Sequence, residues 1–314
     1  MATMTGLPLK TFARYFMAIA FLIVAIGTQA EPADPTAAGA VPTVVFMTDF
    51  GTVDDSVALC KGVMYSIAPE LRIVDLTHQV TPFSILDGAR FLYGASPYYP
   101  SGTVFVVVID PGVGSARKAV IVRSKRGQYF VLPDNGLMTL IQDRDGIESV
   151  REITNRDWMI GAGISSTFHG RDIFSPVGAH LAHGQDWMQV GPELSVDKLV
   201  RLNLIPSKFD DHGLNAEVLA EDGPFGNLVT NISQEDFVKL GYSRGQGVHV
   251  KIGATEIDLP FVQTFSDVPL NQPLLYINSR GNVGLAINQG SFAATYHIKT
   301  PVPVFIRFAK DKNP

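Results

Sequence analysis

Carboxylates, an arginine and a histidine gather in three short segments of the 314-residue chain, each beside an apolar run. The first segment is Thr48-Asp49-Phe50-Gly51-Thr52-Val53-Asp54-Asp55-Ser56. It stands where a predicted strand gives way to a predicted helix, and in an open α/β sheet the carboxyl end of a strand is where ligands bind. Asp49 brings two acceptor oxygens and no donor, which suits the paired hydroxyls of a ribose, and Asp54 and Ser56 are placed to serve the same ligand. Asp54 and Asp55 have a plainer alternative as helix caps, because a carboxylate there meets orphan N–H groups and the helix dipole.

The same segment can be compared with the Asp-x-Asp-x-Gly-x-Asp-Asp calcium cluster that opens nucleoside hydrolases. Met47 stands where that cluster has its first carboxylate, and one extra residue separates Gly51 from the acidic pair. A hard cation needs several oxygens at fixed geometry, so no metal is expected.

The second segment, Asp110-Pro111-Gly112-Val113-Gly114-Ser115-Ala116-Arg117, follows a strongly apolar run. A turn rich in Pro and Gly lets backbone approach a ligand closely, although Asp110 and Arg117 would equally make a structural ion pair closing the turn. The third segment is Ser165-Ser166-Thr167-Phe168-His169-Gly170-Arg171-Asp172, a polar loop ahead of an apolar helical stretch. A lone histidine in such a loop reads as structural as readily as catalytic.

The elements that must hold these segments follow from apolar periodicity. Val44-Val45-Phe46-Met47 reads as a buried strand, and Val57, Cys60, Met64 and Ile67 share one face of a helix. Strands over 71–76, 104–109, 119–123 and 129–132 alternate with helices over 85–94 and 136–142. This alternation predicts a mainly parallel sheet with flanking helices. After about residue 205 the pattern changes to short runs separated by Gly, Asn and Pro, over 216–220, 247–252, 274–277 and 302–306, as in a small β-barrel or sandwich. The expected fold is α/β over residues 43–205, followed by a smaller β domain over 206–314.

Residues 1–30 carry Lys10 and Arg14, then an apolar run from Tyr15 to Gly27 that is shorter than the ~18–20 residues needed to span a bilayer. They read as a secretory signal peptide cleaved near Ala30, with 31–42 as a flexible leader, a secreted or periplasmic location, and no membrane association after cleavage. Without residues 1–30 the chain holds 23 Lys+Arg against 30 Asp+Glu, a net charge of −7. Nucleic acid is therefore an unsuited partner. Cys60 is the sole cysteine, which excludes an intrachain disulfide and a cysteine-cluster metal site.

Together the segments resemble the SAM hydroxide adenosyltransferase (S-adenosylmethionine hydrolase) family, relatives of the fluorinase and chlorinase. The matching stretches are TDFGTVDDSVALCKG (48–62), VVIDPGVGSAR (107–117), PDNG (133–136), TFHGRD (167–172), DGPFGNLVTN (222–231) and INSRGNVGLAINQGS (277–291). The resemblance implies a β-barrel for the second domain and hydrolysis of S-adenosylmethionine to adenosine and methionine, with SAM as substrate and no cofactor. It implies an Asp110–Arg117–His169 triad around the attacking water, with Asp49, Asp54 and Ser56 on the ribose side and Phe83 and Phe168 flanking the ligand. Asp222, Phe225 and Asn227 would lie near the adenine and methionine ends, and Ser279 and Arg280 near the methionine carboxylate and amino group. All five would come from the barrel of a neighbouring subunit in a homotrimer. A fluorinase would have a tyrosine in place of Asp110, a serine in place of Gly170 and an inserted loop around 123–130, and it has an arginine where this chain has Ile287. Two other functions fit the same segments less well: an exported SAM- or nucleoside-binding protein, which needs no water activator, and a metal-dependent nucleoside hydrolase.

Overall fold

Thr43–Thr48 (β1) is apolar along nearly its whole length, and Val44, Val45, Phe46 and Met47 are fully buried. A strand buried on both faces belongs inside a sheet covered by helices on either side. In the computed structural model of the chain, which describes residues 41–161 and 163–309, β1 lies between two parallel neighbours, β2 (Arg72–Thr77) and β3 (Val104–Val108). The sheet continues through β4 (Ala119–Ser124), β5 (Tyr129–Pro133), β6 (Ile147–Glu152) and β7 (Glu193–Leu194) in the order β2-β1-β3-β5-β4-β6-β7. From β2 to β5 neighbouring strands run parallel, whereas the pairings of β4 with β5, β6 with β4 and β7 with β6 are antiparallel. The 125–128 turn between β4 and β5 is too short for the crossover that a parallel pair needs.

Successive side chains of a strand point to opposite faces, and β1 divides accordingly. Val44 and Phe46 join Cys60 and Met64 of α1 (Ser56–Ile67), while Val45 and Met47 join Leu92 of α2 (Ile85–Ala95) and Ile141 of α3 (Thr139–Asp145). Val177 of α4 (Ser175–Ala182) completes the first layer. Each such side chain contributes about 1.5–3 kcal/mol on full burial. Helix α3 starts three residues later than its apolar pattern predicts. Gly136 sits at φ +107°, and the Asn135 side chain donates to the Ile109 carbonyl at 2.8 Å, so 134–138 is held as a turn.

The chain leaves β1 for β2 on one side and later returns to place β3 on the other. This is a topological switch point, where a crevice opens beyond the strand ends. Thr48 pairs with Val108, so Asp49 and the Ile109-Asp110 pair leave the sheet side by side.

Neighbouring strands of the second sheet pair antiparallel: β8 (Lys208–Asp210), β9 (Gly213–Asp222), β10 (Asn227–Ser233), β11 (Gly247–Ile252), β12 (Thr255–Pro260), β13 (Pro273–Ile277), β14 (Asn282–Ile287) and β15 (Val302–Arg307). Its order is β12-β11-β15-β9-β10-β14-β13, with β8 on β9. The outer strands meet where Val262 N–H donates to the Leu275 carbonyl at 3.0 Å, which nearly closes a barrel around Val218, Leu228, Val250, Leu285 and Ile306. Residues 1–40, which hold the expected signal peptide and most of the leader, lie outside the described residues. Among the described residues no helix is long and apolar enough to cross a membrane.

Candidate active site

The loop after β1 is pinned from behind. Thr48 is fully buried, its hydroxyl accepts the Phe50 N–H at 3.2 Å and is hydrogen-bonded with His78 Nδ1 at 2.9 Å, and the His78 carbonyl accepts from Gly51 at 2.7 Å. Asp49 therefore leaves β1 on a fixed backbone. Its Oδ2 accepts the Phe83 N–H at 2.9 Å. Phe83 sits at φ +66°, a left-handed conformation that costs a bulky L-residue about 1–3 kcal/mol. Its ring is nevertheless 73% exposed, so no burial offsets the strain.

Asp110 follows β3 and opens a turn in which Val113 N–H donates back to its carbonyl at 3.1 Å. Gly114, at φ +76°, packs against the Ser166 carbonyl with no room for a side chain. That close approach brings the turn against the 165–168 loop and Arg117 within reach of His169. Arg117 Nε donates to both Asp110 oxygens at 3.0 and 2.9 Å, and the two side chains are 11% and 5% exposed. Removing one partner of such a desolvated pair costs about 3–5 kcal/mol.

Arg117 Nη2 lies 2.6 Å from His169 Nδ1. A guanidinium has donors only, so Nδ1 must accept and the ring proton belongs on Nε2. Burial, followed by the charge of Arg117, pulls His169 below its ordinary value, with Asp110 and Asp172 opposing. His169 leads into a π-helical turn, Gly170–Phe174, that runs on into α4. Such turns recur at functional sites. Here Asp172 is fully buried and accepts from Ser165 N–H at 2.7 Å, which ties the histidine loop down.

Asp49, Phe83, Asp110, Phe168 and His169 line one cavity of about 220 Å³, with Arg117 joined to it through Asp110 and His169. Phe50 also lines it, edge-on to Phe168 at 5.8 Å. Sequence reasoning passed over Phe50, although its place between Asp49 and Gly51 could have signalled it. Asp54 lies one residue ahead of the N-cap of α1, which is Asp55 and makes no side-chain cap hydrogen bond. Asp54 Oδ1 accepts the Ser56 N–H at 3.0 Å at the start of α1, which holds its carboxyl below the usual range, and neither residue lines the cavity. Among the described residues no three His, Cys, Asp or Glu side chains converge as metal ligands would.

The barrel residues lie elsewhere in the same chain. Asp222 and Asn227 face one another across the β9–β10 hairpin, with Phe225 68% exposed at its tip. Ser279 and Arg280 are exposed in the β13–β14 turn. None of the five lines the Asp49–Asp110 cavity. Arg280 instead borders a second cavity of about 660 Å³ between α2 and the barrel.

The profile of the SAM hydroxide adenosyltransferase N-terminal domain matches residues 44–191, and that of the C-terminal domain matches residues 216–305. A fluorinase of Actinoplanes sp. (strain N902-109) is 36% identical over 84% of this chain and 97% of its own. The (R)-S-adenosyl-L-methionine hydrolase of Salinispora tropica is 38% identical over 80% and 92%, and that of Thermus thermophilus is 36% identical over 83% and 98%. The crystal structure of an uncharacterized conserved protein from Thermotoga maritima superposes with a TM-score of 0.79 at 36% identity, covering 84% of this chain and 99% of that one.

Proposed function

Since the chain belongs to the SAM hydroxide adenosyltransferase family, we propose that it hydrolyses S-adenosyl-L-methionine to adenosine and methionine by in-line attack of water at the ribose 5′-carbon. The observation that carries this reading is the linked Asp110–Arg117–His169 cluster at the edge of a cavity that Asp49 also lines. The leaving group is a sulfonium. It departs as a neutral thioether that keeps the C–S electron pair, so neither a general acid nor a metal is needed. The demanding task is to make water hydroxide-like and aim it.

In this reading Asp110 takes the proton. His169 has its Nδ1 lone pair turned to Arg117, so its Nε2–H is a donor that orients the water oxygen. Arg117 fixes both partners and balances the carboxylate charge. As the new O–C5′ bond forms, the C5′–S bond breaks and the water proton passes to the Asp110 carboxylate. Proton acceptance by a placed base gives about 10²–10⁴-fold, and positioning removes about 7–11 kcal/mol of the barrier. Asp49 receives the ribose hydroxyls between the faces of Phe83 and Phe168, and this water-poor pocket favours a reaction in which opposite charges are lost.

Asp222, Phe225, Asn227, Ser279 and Arg280 complete the site from the neighbouring barrel of a homotrimer, which accounts for their distance from the cavity of their own chain. Asp54 and Ser56 reach the ligand when it enters. The enzyme is exported by its N-terminal signal and works without a metal.

The test is incubation with SAM in oxygen-18 water, with chromatography and mass spectrometry of the products. Adenosine carrying the label on its 5′-hydroxyl, undiminished by a chelator, is expected. Free adenine or unlabelled adenosine would refute the mechanism. Both sulfonium epimers should be supplied, because the hydrolase relatives are named for the (R) form.

A further inference from the structure

Helix α2 presents Arg90 and Gly94, four residues apart and hence on one face, to the barrel of its own chain. The contacts fall on two barrel residues placed above near the substrate: Asp222, toward its adenine and methionine ends, and Arg280, toward the methionine carboxylate and amino group. The Arg90 side chain is only 6% exposed. One arm is anchored: Nη1 donates to Asp87 Oδ1 at 2.8 Å, and Asp87 Oδ2 accepts the Thr81 hydroxyl at 2.8 Å and the Thr81 N–H at 3.3 Å. The other arm, Nη2, is buried without a hydrogen bond and lies 3.8 Å from Asp222 Oδ1. A buried guanidinium with one arm unmet is expensive for a fold to keep. Its anionic neighbour across the gap is Asp222, a barrel carboxylate placed above near the adenine and methionine ends of the substrate.

One helical turn further on, the Arg280 guanidinium rests directly on Gly94. A Cβ at position 94 would stand 2.8 Å from Arg280 Cζ and Nε, so with any other residue there the guanidinium would have to move off this spot. Asp222 and Arg280 thus both lie against α2, one beside an arginine and the other where a side chain is lacking.

We propose that Arg90 and Gly94 form the seat that sets the spacing of Asp222 and Arg280, so that the barrel offers a carboxylate and a guanidinium matched to the ammonium and carboxylate of an α-amino acid. Arg90 is a positioning residue in this scheme. The inference rests on the hydrolase reading above and adds to it the part of the first domain that prepares the half-site. Because the seat lies within one chain, each subunit preorganises what it presents to its neighbour, and less ordering remains to be done when substrate binds.

The experiment compares Gly94→Ala, Arg90→Met and Arg90→Lys with the wild type on two substrates: SAM, and the 5′-dimethylsulfonium of 5′-deoxyadenosine, which keeps the reacting centre and lacks both amino-acid charges. Gly94→Ala improves helix propensity, so it folds even where Arg90→Met does not. For Gly94→Ala the expected result is a KM for SAM raised about tenfold, the loss of one well-placed polar contact, with kcat within about twofold. KM for the dimethylsulfonium should be unchanged. Arg90→Met should show the same split, with Arg90→Lys partly restoring it. Equal penalties on both substrates, or none on SAM, with wild type still releasing adenosine from SAM, would overturn the seat and leave the hydrolase reading intact. A wild-type enzyme inert toward SAM would overturn both.

Discussion

Replacing His169 by asparagine separates the two groups that could receive the proton. In the structure the imidazole accepts from Arg117 through Nδ1 and offers a donor through Nε2. An asparagine can do both, since its Oδ1 accepts and its amide donates. The misfit of the shorter side chain should cost no more than about 1.4 kcal/mol, so kcat falls by about tenfold or less. His169→Ala leaves a guanidinium N–H unmet, worth about 1.5–3 kcal/mol, and should lower kcat by roughly 10–150-fold. Asp110→Asn removes the proton acceptor itself, and the expected loss is about 10²–10⁴-fold. The assay is chromatographic measurement of adenosine released from SAM, as initial rates from pH 5 to 9. If His169→Asn is as inactive as Asp110→Asn, the proton goes to the imidazole and the donor role is wrong.

Phe83→Gly relieves about 1–2 kcal/mol of left-handed strain against roughly 0.5–1 kcal/mol of added glycine entropy, so urea denaturation should show equal or slightly greater stability while KM for SAM rises. His169 and His180 are both pulled below their ordinary values, by burial first and then by the charges of Arg117 and His183 respectively. Below about pH 6.5 the unfolded chain therefore binds protons that the folded one refuses, and the denaturation midpoint should be flat above pH 7 and fall as pH drops from 6.5 toward 5. Burial pushes the Cys60 thiol up to about 11, so a disulfide reagent should titrate no thiol in the native protein and one after denaturation.

The parallel core of the first domain was legible because its strands are buried on both faces. Such strands carry unbroken apolar runs, as Val44–Met47 and Val104–Val108 do, and the intervening helices change the period. Strands β6 and β7 were not legible: IESVRE buries only Ile147 and Val150, three residues apart, and carries charges at Glu148, Arg151 and Glu152, so it shows no two-residue alternation, and a two-residue strand has no period at all. At the site, Asp49 and Asp110 could be placed from strand ends alone. Their adjacency required the Thr48–Val108 register, a long-range pairing. His169 was least legible on its own, because a π turn interrupts the helical period just after it and its orientation depends on the buried Asp172.

Water and halide make opposite demands on this pocket, and the charges decide between them. A halide arrives as an anion and needs unspent donors. Arg117 has turned Nε and Nη2 to Asp110 and His169, and the carboxylate beside it cancels its attraction for a second anion. A hydroxyl at position 170 would help a halide, but a Cβ there would fall 2.8 Å from the Phe50 ring, so Gly170 cannot gain one unless Phe50 moves. Water asks for an acceptor as well as a donor. In the proposed mechanism Asp110 supplies the first and His169 Nε2–H the second, and burial together with the charge of their shared arginine pulls the imidazole below its ordinary value, so that it donates without charge. In the mechanism proposed above, the arrangement that disfavours an anion is thus the same one that would activate the neutral molecule, and changing the nucleophile would require altering Asp110, Gly170 and Phe50 together.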